Sequence, residues 1–363
     1  MTNETNDAAR DGQADAPPQT LEDVRRRARQ RMKGICGVYP ACDGEPNRIC
    51  QREAYGGAIG LGGAGSGSSF RANVRALANT RLVTRVVGEH FEPDTRFDFF
   101  GHELSMPVLA SSTAGPARYN ECMAEIDFCR AIADGCLDAG TMAFRGDTYF
   151  YTPEDHPSLD AIEAAGGRGV PIFKPRAQDV LLPLIERAER LGCPAVGVDL
   201  DGCGTTYMLA AGQPVFRKSR KDIEQLVQST SLPFVCKGIM CVEDAEACVE
   251  AGARVVAVSN HGGRVLDGTP GVAEVLPGIA ERIRGRAMVT ADGGIRTGYD
   301  VLKMLALGAE AVLIGRDIVR AAIGGGRDGV RMQMELFGKV LKRAMLLTGC
   351  RDLASIAPQV LHG

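Results

Sequence analysis

The sequence predicts an α/β fold, a (β/α)8 TIM barrel preceded by a helical and glycine-rich extension. Three observations carry that prediction. From Met106 onward, short β-rich apolar runs alternate with amphipathic stretches, and the runs number eight; that count favours a closed barrel over an open sheet wound on both sides. Each run is apolar throughout, as expected of strands covered on both faces. Polar, chemically capable residues gather just past the C-terminal ends of the runs, where barrels of this class carry their chemistry.

In chain order, residues 1–20 are polar and acidic with no apolar core. They predict a disordered tail and argue against a secretory signal. Residues 21–69 form the extension: 21–33, rich in Arg and Glu, reads as a surface helix, and 34–69 is irregular, crowded with glycine, and carries Cys36, Cys42 and Cys50. Residues 70–363 form the barrel domain, with a helical pattern at 70–78 and a short hairpin at 97–104. The eight strands are read at 107–113, 140–144, 171–174, 195–200, 233–237, 255–259, 288–291 and 311–314. Helices intervene, for example over 181–191, 242–251 and 298–307.

Bulk properties narrow the function classes. At 363 residues, with 45% apolar and 24% charged residues, the chain has the composition of a globular enzyme. A net charge of −3 offers no footprint for nucleic acid or an anionic membrane, and the lack of tryptophan removes the best base-stacking side chain. No apolar run approaches a membrane span, and the expected compartment is the cytoplasm. Twelve cysteines without a secretory signal read as reduced thiols. Cys122, Cys129 and Cys136 recur every seven residues and predict one buried helical face. Cys36, Cys42 and Cys50 lack the tight Cys-x-x-Cys pairing of a metal site, so no metal is expected.

The run Ser259-Asn260-His261-Gly262-Gly263-Arg264 follows the sixth strand. A histidine can take a proton near neutral pH, and an arginine can grip a carboxylate through two parallel hydrogen bonds. Base plus carboxylate clamp is what oxidation of a 2-hydroxy acid needs. A lone histidine here would read better as a loop cap; convergence with other strand ends reverses that preference. Asp199 and Asp201 end strand four, and Lys237 ends strand five. Strands seven and eight end in Asp292-Gly293-Gly294-Ile295-Arg296 and Gly315-Arg316. Such glycine pairs with arginines on these two loops predict a phosphate site.

With these residues assembled, the chain resembles the FMN-dependent 2-hydroxy-acid oxidase and dehydrogenase family, to which glycolate oxidase and lactate oxidase belong. The matching residues are Ser259 to Arg264 with Leu266-Asp267, then Asp292 to Gly298, then Leu305 to Ala309 through Arg316, and Leu104 to Val108. The resemblance implies FMN as cofactor, a small 2-hydroxy acid as substrate and a homo-oligomer, a homotetramer or larger. It further implies His261 as the base, Arg264 as the carboxylate clamp, and Asp201 as the partner that orients His261. Lys237 would face the flavin where negative charge accumulates, and Ser259 would hydrogen-bond its ring. Asp292, Gly293, Gly294, Arg296, Gly315 and Arg316 would hold the ribityl chain and phosphate, with Ser112, Thr113 and Ala114 lining the ring.

Several positions depart from the family pattern. Ile59 and Phe173 stand where substrate-binding tyrosines are usual, and a flavin-contacting glutamine is replaced near Pro171. Asp199 stands where threonine is usual, and Lys174 is a new cation for substrate binding. Tyr207 or Tyr119 is the candidate source of the lost hydroxyl. The alternative function is a non-redox FMN isomerase of the type 2 isopentenyl diphosphate isomerase kind.

Overall fold

The computed structural model describes residues 17–32, 63–64, 66–115 and 122–362. The expectations for residues 1–16 and for Cys36, Cys42, Cys50, Ile59 and Tyr119 lie outside the described residues.

Eight parallel strands pair in chain order and close into a barrel. They are β1 (Val108–Thr113), β2 (Ala143–Arg145), β3 (Val170–Phe173), β4 (Val196–Asp199), β5 (Phe234–Ile239), β6 (Val255–Val258), β7 (Met288–Ala291) and β8 (Ala311–Ile314). Closure is made by β8 pairing back onto β1, with Val312 opposite Val108 and Ile314 opposite Ala110. The covering helices are α1 (Glu125–Asp138), α2 (Pro157–Ala164), α3 (Gln178–Arg190), α4 (Arg220–Gln228), α5 (Val242–Glu250), α6 (Val272–Ile283), α7 (Gly298–Ala306) and α8 (Arg316–Thr348), the last broken at Gly326.

Strand alternation divides the core in two. Leu109, Met142, Phe144, Val170, Ile172, Val235, Ala257 and Leu313 fill the barrel interior. Their neighbours Val108, Ala143, Phe173, Val198, Cys236, Val256 and Ile314 pack outward with the helical layer. The predicted hairpin forms from Phe97–Phe99 and His102–Leu104, and Phe99 lies 6.0 Å from the Phe144 ring. Because it immediately precedes β1, it closes the end of the barrel opposite the strand exits.

Three sequence expectations need correction. Phe173 does not face the site: it points outward, fully buried, with its ring edge-on to His156 at 5.5 Å. With Ile172 inward and Phe173 outward, the next inward position on this strand belongs to Lys174. The N-terminal helix, Leu21–Arg31, is more than a surface helix. Its stripe of Val24, Ala28 and Met32 is buried, and the helix packs on α8. Burial of Val24 and Met32 stabilises this docking by about 1.5–3 kcal/mol each. The stripe is hard to see among the arginines that flank it. Finally, Cys129 and Cys136 share the buried face of α1, whereas Cys122 is only half-buried and precedes the helix.

Among the described residues, no helix is long and apolar enough to cross a membrane.

Candidate active site

The loop after β6 is held in an unusual shape. His261, Gly262 and Gly263 all have left-handed backbones, with φ of 58°, 65° and 77°. For a histidine this conformation costs of order 1–3 kcal/mol and persists only where surroundings enforce it. The enforcement is visible. Asn260 accepts a hydrogen bond from the Gly263 N–H at 3.0 Å and trades two side-chain hydrogen bonds with Asn73, at 2.8 and 3.0 Å. Asn73 sits on the helix Ser68–Asn79 and is almost fully buried. That helix lies so close to the loop that a Cβ on Gly263 would fall 2.4 Å from the Phe70 nitrogen. Asp267 completes the seam, accepting from the Ser66 and Ser68 N–H groups at 2.7 and 3.0 Å. The glycine-rich stretch therefore ends by docking on the His–Arg loop.

Behind His261 lies a buried charge network. The Nδ1 of His261 is 2.9 Å from Asp201 Oδ1 and 3.2 Å from Asp199 Oδ2. Asp199 also meets Lys174 Nζ at 2.7 Å and Lys237 Nζ at 3.2 Å. Lys237 reaches Asp292 Oδ2 at 3.5 Å. Burial alone would raise the Asp199 carboxyl, yet His261, Lys174 and Lys237 together hold it well below the usual carboxylate range. Asp201 moves the other way, raised by burial and then by the charge on Asp199. Two adjacent acids split in this manner because the first to ionise opposes the second. Burial works against the charges of Lys174 and Lys237, but Asp199 outweighs it and keeps both ammoniums above their ordinary values. Room for Asp201 comes from a register shift in β5: Gly238 there has φ 92°, and a Cβ on it would lie 2.5 Å from Asp201 Cγ.

The site opens into a cavity of about 330 Å³ at the strand exits, within the size range of small-molecule sites. His261 and Arg264 both line it, as do Lys174 and Lys237. Ser112, Thr113 and Ala114 form its β1 wall. Asp292, Gly293, Gly294 and Arg296 line it from the β7 exit, and Gly315 and Arg316 from the β8 exit. Arg316 stacks on Phe70, 4.6 Å from the ring centroid, and donates to the Gly262 carbonyl at 2.9 Å. Asp201 does not line the cavity but lies behind His261. Ser259 does not line it either. Its fully buried hydroxyl donates to Asp292 at 2.8 Å and accepts from Lys237 at 3.1 Å and the His261 N–H at 3.0 Å. Its hydroxyl is thus engaged by three protein partners. Lys174, expected as a cation for the substrate, has Asp199 as its direct partner.

Several lining residues carry no sequence signal. Thr148 and Asp147 come from the β2 exit, Thr205 and Thr206 from the β4 exit, and Asp317 from the start of α8, whereas Tyr207, also in the wall past β4, is the candidate named for the lost hydroxyl. Asp147 accepts from the Lys174 N–H at 2.9 Å and pairs with Arg176 at 2.7 Å, bracing the β3 exit. Asn73 was equally hidden; a polar residue on the buried face of a helix was its one available sign.

The cavity suits a flavin nucleotide. Thr113 Oγ1 and Asp292 Oδ1 are buried with no hydrogen-bond partner among the described residues, and both residues line the wall. A polar ligand would satisfy them. At the other end, Gly293 and Gly294 have φ of 88° and 82°, and α8 starts after Gly315 with no side-chain cap. Backbone N–H groups, a helix N-terminus, Arg296 and Arg316 there could hold an anion.

Comparison with known proteins agrees with this geometry. The chain matches the FMN-dependent dehydrogenase family over residues 58–211 and 204–363. It is 44% identical over 357 residues to a 2-hydroxyacid oxidase of Dictyostelium discoideum, covering 87% of this chain and 88% of that protein. It is 33% identical over 332 residues to a 4-hydroxymandelate oxidase of Amycolatopsis orientalis, covering 81% and 90%. A crystal structure of mandelate oxidase superposes with a TM-score of 0.76 at 30% identity, covering 94% of this chain and 97% of that one. The chain belongs to the FMN-dependent dehydrogenase family, whose 2-hydroxy-acid oxidases it resembles along most of its length.

Proposed function

We propose that this enzyme oxidises a 2-hydroxy acid to the 2-oxo acid with His261 as base and Arg264 as carboxylate clamp. The observation that carries this reading is that both side chains line one cavity while Asp201 holds His261 from behind, 2.9 Å from Nδ1. Carboxylates at Nδ1 keep its proton in place and leave Nε2 as the basic nitrogen. The reaction removes two electrons and two protons from the carbinol group. Bound FMN supplies the two-electron acceptor.

Each residue then has a defined task. Arg264, whose buried Nε has no partner among the described residues, meets the substrate carboxylate. His261 takes a proton from the substrate, and Asp201 stabilises the imidazolium that results. Lys237 keeps positive charge beside the ring site. Asp292, Gly294, Arg296, Gly315 and Arg316 hold the ribityl phosphate. Lys174 and Lys237 are balanced by Asp199 and Asp292 together, so the substrate end offers too little cationic charge for a diphosphate, and the isomerase alternative is set aside. We also read the enzyme as cytoplasmic and as a homotetramer or larger, which light scattering checks.

The test is anaerobic mixing of the purified yellow protein with a panel of 2-hydroxy acids. At least one acid bleaches the flavin absorbance, and His261→Ala abolishes the fast phase. A panel that leaves the flavin oxidised, or a variant as fast as the parent, overturns the assignment.

A further inference from the structure

The exit of β4 presents two carboxylates to one imidazole, and only one of them can take its hydrogen. Nδ1 carries a single proton, and Asp201 at 2.9 Å is the nearer acceptor. Asp199, at 3.2 Å, acts on the ring chiefly as a charge. That charge is shared, because Asp199 Oδ2 is simultaneously 2.7 Å from Lys174 and its Oδ1 is 3.2 Å from Lys237. Lys174 is 5% exposed and Asp199 3%, so water does little to screen either.

The geometry points to Asp199 and Lys174 as a second positioning pair for His261, one that sets how readily the ring holds its proton. Asp199 favours the imidazolium, and Lys174 tempers that pull by neutralising Asp199. The inference rests on the reading of His261 as base. The other titratable and charged groups that face this centre are Asp201 just past β4, Lys237 on β5 and Arg264 on the same loop, with Asp147 past β2 and Tyr207 past β4 on the Lys174 side. Asp292 on β7 acts through Lys237, and Arg316 at the β8 exit is joined to the loop through the Gly262 carbonyl. Among the described residues, Lys174 links His261 to the β3 exit, through Asp199.

The signs of the expected effects differ, which makes the pair testable. Lys174→Met leaves Asp199 less neutralised, so His261 holds its proton to higher pH. Asp199→Asn removes the carboxylate partner of Lys174 and leaves Lys237 with Asp292, so His261 loses its proton at lower pH. Each shift is about one pH unit, a tenfold change in proton affinity. Lys174→Arg keeps the charge and the parent midpoint, and Lys174→Met/Asp199→Asn returns towards it.

The experiment is an NMR titration of the histidine ring signals in the FMN-loaded enzyme, which has only five histidines to assign. The pH profile of kcat/KM is recorded alongside, and circular dichroism with flavin content verifies folding of each variant. Opposite displacements of the His261 midpoint support the pair. Displacements of the same sign, or below about 0.3 unit, overturn it, and Lys174→Met alone decides the matter should Asp199→Asn not fold. If the ring midpoints move oppositely while the acidic limb of kcat/KM stays put, the pair stands and the assignment of His261 as base falls.

Discussion

The two ends of the cavity are built on different principles. The proposed phosphate end, at the exits of β7 and β8, is local: Gly293, Gly294 and Arg296 are neighbours in sequence, as are Gly315 and Arg316. Its chemistry is mainly backbone N–H groups and a helix start. The substrate end is assembled across the barrel. Lys174, Asp199, Lys237 and His261 come from four consecutive strand exits and meet through Asp199. Local motifs bind a cofactor and can be read from a line of text. A cross-strand charge network such as the one proposed to set the protonation of His261 depends on where each side chain points.

This contrast predicts separable failures. The largest is at the substrate end: His261→Ala lowers kcat/KM by about 10²- to 10⁴-fold, the usual yield of a positioned base, while bound flavin is retained. Steady-state kinetics beside the flavin absorbance ratio checks it. Loss of flavin from this variant would break the comparison. Next, Arg264→Lys keeps the charge but loses the two-pronged grip, which is worth about 1.5–3 kcal/mol for a charge-assisted bond. The expected result is a loss of about 10- to 150-fold in kcat/KM, seen largely in KM.

At the phosphate end, Gly294→Ala adds a Cβ at φ 82°, 2.7 Å from the Asn73 carbonyl oxygen. FMN affinity falls by about tenfold or more, corresponding to roughly 1–3 kcal/mol of backbone strain. Activity recovers at saturating FMN, as equilibrium dialysis and reconstitution assays can show. The smallest effect on activity is expected at His156, which braces the β3 exit from behind. Burial, and after it the Arg176 charge, hold its pKa down to about 3. An unfolded histidine protonates near ~6.5. Between those values the unfolded chain binds the extra proton, so stability declines as pH falls, at up to about 1.4 kcal/mol per pH unit. His156→Phe removes that slope from urea unfolding curves at pH 7 and pH 5, with turnover little changed.

The architecture was legible because periodicity survives without coordinates. The runs at 288–291 and 311–314 coincide with β7 and β8, and the other six strands lie within three residues of the expected bounds at either end. The His–Arg loop was equally legible, since Ser259 to Arg264 is one uninterrupted motif. Other details resisted. Phe173 was aligned with a substrate-binding position, but strand alternation turned it towards His156 and gave the inward place to Lys174. Ser259 was matched to the flavin ring, but its hydroxyl is saturated by three neighbours from different strands and the loop itself. Asn73 carried no motif at all, because its role depends on a residue 187 positions away.

By itself the sequence determined the barrel, the order of its strands and the residue types gathered at their exits, because hydrophobic period and loop motifs are written locally. Only the tertiary structure decided which of those exit residues meet. One step along a strand reverses the direction of a side chain, and a buried ion pair forms only where two strands bring opposite charges within about 4 Å. That is why Lys174 and Asp199, a pair by geometry, could be read in the sequence only as two separate departures.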